Sequence, residues 1–163
     1  NNEIQIINKY NNDYLGNIYS GICLNNNFKV NENIFIENNG TWIKSKIISL
    51  QVNQNNYNKI YKNYLCGIKL NKNIDKPTLI VKNINNYKFY KKFNLKILYK
   101  FYKKININLN NDIMLFINNK IIIGKIINIK NLNILLKDNI LLKKNILFKI
   151  NNNFGIGLIY IKK

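Results

Sequence analysis

The segment Leu15–Ile36, LGNIYSGICLNNNFKVNENIFI, decides the fold of this chain. Its short apolar runs are rich in Ile, Val, Tyr and Phe and are separated by Asn or Gly, a pattern typical of β-strands and turns rather than of helices. Asn tolerates left-handed backbone angles, so Val30–Asn33 is expected to form a tight hairpin. The segment therefore predicts strands and turns with no catalytic side chain among them.

The same pattern continues along all 163 residues, interrupted by the polar stretch 82–92. Six strands are expected on each side of that stretch, and closing each set into a barrel removes the free edges that such apolar strands would expose. The sequence predicts an all-β fold of two consecutive small six-stranded β-barrels, domains 1–84 and 85–163. The predicted strands are 4–9, 17–24, 33–37, 42–52, 65–70, 78–81, 94–101, 113–117, 121–129, 133–137, 145–149 and 156–161.

The charge of the chain is strongly positive: 26 Lys stand against seven Asp and Glu, a formal charge of +19 and a pI of about 9.9. Such a field attracts polyanions, so one interpretation is binding to nucleic acid. The alternative is a coding bias, because Asn, Ile, Lys and Tyr crowd every segment while Arg, His and Ala are absent. Without Arg, phosphate contacts would depend on Lys as a point charge.

Catalytic chemistry is poorly represented in the sequence. The lack of His removes the imidazole base and leaves the serines without a nucleophilic triad. The seven acids fall singly at predicted strand ends or turns, and no GxxxxGK[ST] motif occurs. Cys23 and Cys66 lie in apolar runs without CxxC spacing, so they are expected to be buried free thiols rather than metal ligands. No catalytic residue and no metal site is predicted.

The sequence also bears on localisation. The apolar run Phe154–Ile161 is far shorter than the ~18 residues that a membrane-spanning helix requires. Two free cysteines without a secretory signal suit a reducing compartment. We therefore expect a soluble protein of the cytoplasm, or of an organelle with a reduced genome, that is not secreted and has no membrane partner.

Two motifs near the start resemble a known superfamily. Gly16–Gly21, GNIYSG, is similar to the Gly-x-Val-x-x-Gly strand in domain two of the elongation-factor-Tu superfamily of translational GTPases. Phe28–Ile34, FKVNENI, is similar to its Leu-Lys-Val-Gly-(Asp/Gln)-x-(Ile/Val) hairpin, with Asn31 in place of Gly. The two predicted barrels resemble the second and third domains of these translation factors.

Within that superfamily, the chain most resembles the gamma subunit of eukaryotic and archaeal translation initiation factor 2. Ser45–Leu50, SKIISL, is similar to its Ser-Lys-Ile-Val-Ser-Leu strand. Gly67–Leu70 and 73–79 resemble its Gly-Val-Gly-Thr-Lys-Ile-Asp-Pro-Thr-Leu, with Lys76 inserted, and 111–115 resembles its Asn-Glu-Val-Leu-Met. The selenocysteine-specific elongation factor, or another Tu-like factor, is the close alternative.

The resemblance implies the C-terminal, tRNA- and subunit-binding part of a GTPase that delivers initiator methionyl-tRNA to the small ribosomal subunit. GTP and Mg²⁺ would bind a GTPase domain that these 163 residues do not contain, and the alpha and beta subunits would be partners. Loops 38–41 and 71–76 would dock the alpha subunit. The implied tRNA-binding wall consists of Gly16, Ile18, Ser20, Gly21, Ser49, Gln51 and Lys69, and charge adds Lys44 and Lys46 as phosphate contacts.

The sequence departs from the family near its end, where an Arg-containing basic segment is reduced to Lys149 and the Asn run 151–153. A second class of function also stays open, namely a stand-alone basic RNA-binding or ribosomal β-barrel that stacks bases on Tyr and Phe. The clusters 88–92, KFYKK, and 100–104, KFYKK, combine cations and aromatic rings in this way. A nucleotide-binding motif encoded upstream would distinguish the two classes.

Overall fold

The computed structural model describes residues 2–25, 27–100, 107–117, 120–141, 145–150 and 153–160. These residues form strands and turns, and none of them belongs to a helix long and apolar enough to cross a bilayer. The chain divides into two compact units, Asn1–Tyr87 and Lys88–Lys163, against a predicted boundary after residue 84. Each unit contains a closed six-stranded antiparallel barrel, so the predicted fold class is confirmed.

Unit 1 closes its barrel through antiparallel pairing in the order β4, β9, β1, β2, β8 and β5, and β5 pairs again with β4. Strand β6 continues β5 as a hairpin, while β3 and β7 form a separate two-stranded sheet. The strands are β1 Glu3–Asn12, β2 Gly16–Asn25, β3 Phe28–Lys29, β4 Asn33–Asn38, β5 Thr41–Val52, β6 Asn55–Tyr57, β7 Lys59–Ile60, β8 Leu65–Leu70 and β9 Pro77–Val81.

Unit 2 closes in the order β10, β13, β12, β11, β14 and β15. Its first strand pairs with its last, with Asn94 opposite Tyr160, and unit 1 does the same, with Glu3 opposite Val81. The strands are β10 Phe89–Lys100, β11 Asp112–Ile117, β12 Lys120–Asn128, β13 Asn133–Leu141, β14 Asn145–Ile150 and β15 Asn153–Tyr160.

Each barrel has its own apolar core, built from alternate residues of the strands. Tyr19, Ile47 and Ile68 are fully buried in unit 1, and Phe93 and Phe148 are buried in unit 2. Burying one such side chain contributes about 1.5–3 kcal/mol relative to leaving it exposed. The alternation leaves the intervening side chains on the outer wall of the barrel, where a partner can reach them.

Two local predictions were wrong. The turn at Val30–Asn33 forms, with Asn31 at a φ of 68°, but it joins β3 to β4, and β3 pairs with β7 rather than with β4. Because strand pairing depends on distant residues, the local turn pattern could not fix the partner. The stretch 82–92 was expected to be a polar connection, yet β10 begins at Phe89. The rings of Phe89 and Tyr90 are half-buried. Phe101 and Ile161, at the ends of two predicted strands, lie outside the described residues.

Candidate nucleic-acid interface

Strands β2, β8 and β5 lie side by side in unit 1 and bring together most of the predicted tRNA-binding residues. The residues come from chain segments far apart in sequence, but the strand register aligns them. Neighbouring strands are about 4.8 Å apart, so residues in register are direct neighbours. Two rows cross the three strands: Ile18, Lys69 and Ser49 form the first, and Ser20, Gly67 and Gln51 form the second.

The members of both rows face outward from the barrel. Each is half-buried and alternates with a buried neighbour, such as Tyr19 on β2, Ile68 on β8 and Leu50 on β5. The second row continues onto β6, where the Gln51 Nε2 donates a hydrogen bond of 3.0 Å to the Oδ1 of Asn56. The rows therefore form one polar face on the outer wall, called here the β2–β8–β5 face.

Gly67 lies in the middle of the β2–β8–β5 face and leaves it without a side chain there. A Cβ at this position would be 3.5 Å from the Cγ2 of Ile18 and 3.7 Å from the Cβ of Gln51, which are ordinary contacts. Packing of the barrel therefore does not require glycine here. The glycine leaves strand backbone uncovered on the outer wall, and close approach of another group is one of the situations in which glycine occurs within a strand. The sequence motif includes Gly67, but only the strand register shows that this residue lies at the centre of the β2–β8–β5 face.

Gly16 and Gly21, also predicted as tRNA contacts, have different positions. Gly21 faces the interior, where a Cβ would lie 2.8 Å from both the Gln5 carbonyl oxygen and the Ile4 Cγ2, so packing against β1 requires glycine. Gly16 has a φ of 72° at the end of the β1–β2 hairpin, a left-handed conformation that favours glycine. Neither residue belongs to the two rows, and Gly21 lies on the opposite side of β2 from them.

The three predicted phosphate-binding lysines are spread along the outer wall. Lys69 belongs to the first row, whereas Lys44 and Lys46 lie on the earlier half of β5, opposite Phe35 and Asn33 of β4. At about 3.3 Å per residue, Lys46 is roughly 10 Å along the strand from Ser49. The structure thus places Lys69 within the β2–β8–β5 face, Lys46 at its border and Lys44 farther away.

The two loops predicted to dock a partner subunit lie together. The backbone N–H of Lys76, in loop 71–76, donates a hydrogen bond of 3.0 Å to the Oδ1 of Asn38, at the start of loop 38–41. In the latter loop Asn39 and Gly40 have φ values of 50° and 80°, as in the type I′ turns that suit β-hairpins. The structure therefore makes one surface from two segments that are distant in sequence.

Loop 71–76 is also anchored to the barrel core. The hydroxyl of buried Tyr19 accepts a hydrogen bond of 2.6 Å from the Ile74 N–H and donates one of 3.0 Å to the Ile74 carbonyl. The Lys9 Nζ donates a hydrogen bond of 3.0 Å to the Oδ1 of Asn73. These bonds hold the loop in one conformation, which reduces the entropy that a docking partner would have to offset.

Positive charge is distributed unevenly between the units. Residues 1–87 contain ten Lys and five acids, a formal charge of +5, while residues 88–163 contain 16 Lys and two acids, a formal charge of +14. On the outer wall of unit 2, Lys92, Leu135, Lys125 and Asp112 form a row across β10, β13, β12 and β11. A polyanion would therefore be attracted more strongly to unit 2 than to unit 1.

The predicted cation and aromatic cluster at 88–92 forms only in part. Lys88, Lys91 and Lys92 are exposed, but Phe89 and Tyr90 are half-buried in β10. In the second cluster, 100–104, residues 101–104 lie outside the described residues, as do residues 151 and 152 of the Asn run. The rings of β10 are thus less available for stacking than the sequence pattern indicated.

The two cysteines of the chain lie in the core of unit 1. Cys23 and Cys66 are buried free thiols, as predicted. Burial raises the pKa of the Cys66 thiol to about 12 and also raises the pKa of Cys23, so both are protonated and poorly nucleophilic near neutral pH. Among the described residues, no three His, Cys, Asp or Glu side chains are grouped so as to hold a metal ion.

Comparison with known proteins gave no family assignment. No protein-family profile matches the chain, and no curated protein matches it. The motifs, the strand register and the charge are therefore the features of the chain that bear on its function.

Proposed function

We propose that the β2–β8–β5 face binds the 3′ acceptor end of an aminoacyl-tRNA. The chain would then be the tRNA- and subunit-binding part of a GTPase that resembles the gamma subunit of translation initiation factor 2. One observation carries the proposal: five residues that the resemblance assigns to tRNA binding, taken from three separate segments, meet in two adjacent outward-facing rows. They are Ile18, Ser20, Ser49, Gln51 and Lys69.

The face offers the chemistry that an RNA 3′ end requires. The Ser20 and Ser49 hydroxyls and the Gln51 amide can donate and accept hydrogen bonds with 2′-hydroxyls and base edges. Lys69 supplies a point charge for a phosphate. Gly67 lies between these side chains and has no side chain of its own, so the RNA can come close to the strand backbone there.

The assembly around this site extends the proposal. The joined loops 38–41 and 71–76 would dock the alpha subunit, because they form one anchored surface at an end of the unit 1 barrel. GTP and Mg²⁺ would belong to a GTPase domain, the beta subunit would be a further partner, and the complex would deliver initiator methionyl-tRNA to the small ribosomal subunit. It would act in the cytoplasm or in an organelle with a reduced genome.

The test is the affinity of the full chain for methionylated initiator tRNA, compared with the same tRNA lacking its 3′ end. We expect removal of the 3′ end, Gln51→Ala and Lys69→Ala each to weaken binding. Lys29→Ala removes an exposed lysine on β3 and is the matched control. It should change the affinity only by the small amount that the loss of one distant positive charge causes. Equal affinity for the intact and truncated tRNA would contradict the proposal.

A second candidate, a stand-alone basic RNA-binding barrel, is favoured by the charge of +14 on unit 2. In that case binding would not depend on the 3′ end, and Lys92→Ala and Lys125→Ala would weaken it more than Lys69→Ala. The intact mass of the native polypeptide provides an independent check. A parent longer by a GTPase domain of roughly 200 residues supports the first candidate, whereas a native protein of 19.3 kDa supports the second.

A further inference from the structure

The turn between β7 and β8 presents two aromatic rings at the surface of unit 1. Tyr61 is 50% exposed and Tyr64 is 40% exposed. Their ring centroids are 6.0 Å apart, and the ring planes make an angle of 72°. The edge-to-face contact covers at most one ring face, and both side chains keep 40–50% of their surface exposed, so aromatic surface stays accessible to another planar group.

The backbone of this turn is fixed by three hydrogen bonds. The N–H of Tyr64 donates to the carbonyl of Tyr61 at 3.2 Å, and the N–H of Asn63, which has a φ of 68°, donates to the carbonyl of Cys23 at 2.7 Å. In return, the Cys23 N–H donates to the Tyr64 carbonyl at 3.0 Å. The backbone that carries the rings is therefore held against β2, so a ligand that stacks on them would not have to order the turn.

The charge around the rings is positive. The Lys59 Nζ lies 4.8 Å from the centroid of the Tyr61 ring, within the range of a cation–π interaction. Lys62 is exposed within the turn itself. Residues 57–65 contain these two lysines and no acid. Exposed aromatic rings beside cations are the combination that binds single-stranded nucleic acid, in which bases stack and phosphates meet lysines.

The turn leads directly into β8, one of the three strands of the β2–β8–β5 face. Tyr64 precedes β8, and Gly67 lies three residues farther, about 10 Å along the strand. Leu65, the first residue of β8, pairs with Ile22 of β2 between these two points. The distance from the face to the turn is therefore about two nucleotides of an extended RNA strand or less.

We propose that Tyr61 and Tyr64 form a stacking platform for unpaired bases of single-stranded RNA, with Lys59 and Lys62 positioned for the adjacent phosphates. The inference rests on the proposed function, since it extends the same RNA from the β2–β8–β5 face to the turn. RNA is favoured over a protein segment as the occupant because the turn combines two exposed rings with two lysines and no acid in residues 57–65.

The experiment measures binding of a fluorescein-labelled single-stranded oligoadenylate to the full chain. Tyr61→Leu and Tyr64→Leu keep apolar bulk but remove the rings, and each is expected to weaken affinity about 5- to 100-fold. Tyr64→Phe keeps the ring and should bind as the unchanged chain does. Tyr14→Leu removes a tyrosine that is 96% exposed at the other end of β2, and it serves as the matched control.

The outcomes separate this inference from the proposed function. Unchanged affinity in both Leu variants would overturn the platform, and so would a loss in Tyr64→Phe as large as that in Tyr64→Leu. If the Leu variants bind oligoadenylate weakly while Gln51→Ala and Lys69→Ala leave binding of the tRNA 3′ end unaltered, the platform stands and the proposed function fails. If instead the Leu variants bind oligoadenylate as the unchanged chain does, while Gln51→Ala and Lys69→Ala weaken binding of the tRNA 3′ end, the platform fails and the proposed function stands.

A spectroscopic measurement on the unchanged chain tests the platform even if the variants do not fold. An oligoadenylate with 2-aminopurine at one position should lose fluorescence on binding as the base stacks on a tyrosine. Binding without any change in 2-aminopurine fluorescence at every position tried would overturn the platform.

Discussion

Gly21→Ala is expected to destabilise unit 1, although it adds only one methyl group. The new Cβ would lie 2.8 Å from the Gln5 carbonyl oxygen and 2.8 Å from the Ile4 Cγ2. The first of these atoms belongs to the backbone of β1, which is paired with β2 on one side and β9 on the other. Because β1 has a hydrogen-bonded neighbour on each side, it cannot move away without distorting a second pair of strands.

Overpacking of this kind costs about 1–3 kcal/mol. Replacing glycine within a strand by alanine recovers about 0.5–1 kcal/mol of backbone entropy, so the net loss is centred near about 1 kcal/mol. In a unit of this size, each kcal/mol lowers the melting temperature by about 4–8 °C. We therefore expect a decrease of about 4–8 °C for unit 1.

The assay uses the single tryptophan of the chain as a reporter of unit 1. Trp42 lies on β5, and its ring makes an edge contact with Tyr87, the centroids being 5.5 Å apart. Its fluorescence on heating follows unfolding of unit 1 and does not depend on a signal from unit 2. Urea unfolding of the same variant gives the free energy directly, provided that the m-value is unchanged.

Gly67→Ala is the matched control, because its Cβ would meet only ordinary contacts, the nearest at 3.5 Å. It should keep or slightly raise the stability of unit 1, by up to about 1 kcal/mol. Overpacking at Gly21 is excluded if Gly21→Ala unfolds within 1 °C of the unchanged chain, or if Gly67→Ala loses as much stability as Gly21→Ala.

Three further predictions concern buried groups and charge. Tyr19→Phe should lower the stability of unit 1 by about 1–3 kcal/mol in urea unfolding, because it leaves the N–H and carbonyl of Ile74 unpaired; a loss under 0.5 kcal/mol would contradict this. Burial raises the pKa of Cys66 to about 12, so as the pH rises the unfolded chain loses this thiol proton before the folded chain does. Stability should therefore fall as the pH rises from about 9 towards 12, by up to about 1.4 kcal/mol per pH unit. Cys66→Ala should show a shallower fall, and an equally steep one would count against the assignment. Lys69→Ala should reduce the slope of log K against log salt for tRNA by about 0.7, measured by titration at several salt concentrations; an affinity that barely changes with salt in the unchanged chain would argue against phosphate contacts.

The strands of the fold could be predicted from sequence because their apolar runs are short and clearly bounded by Asn, Asp or Gly. Leu65–Leu70, for example, is a strand with the predicted bounds. The pattern fails where a strand carries charge on its outer side, as at Phe89–Lys92, which reads as a polar connection but pairs with Leu141 and Ile140. Strands β3 and β7 are too short for any periodicity to reveal them.

The candidate site was predicted less completely, because the direction of a side chain depends on irregularities that the sequence does not show. Lys46 and Ser49 are three residues apart, an odd spacing that places them on opposite faces of a regular strand. A register shift between Ile47 and Ser49 brings both to the outer wall. Similarly, the motif did not reveal that Gly21 points inward while Gly67 lies on the outer face.

The pairing of first with last strand in each unit has a mechanical consequence. Glu3 lies opposite Val81, so the chain enters and leaves the barrel of unit 1 at the same end of two antiparallel strands. A force that separates these two points opens the β1–β9 pair one hydrogen bond at a time, instead of shearing all of its bonds at once. The barrel of unit 1 should therefore resist pulling weakly, whatever its thermal stability, and should be readily threaded through an unfolding machine that grips the chain.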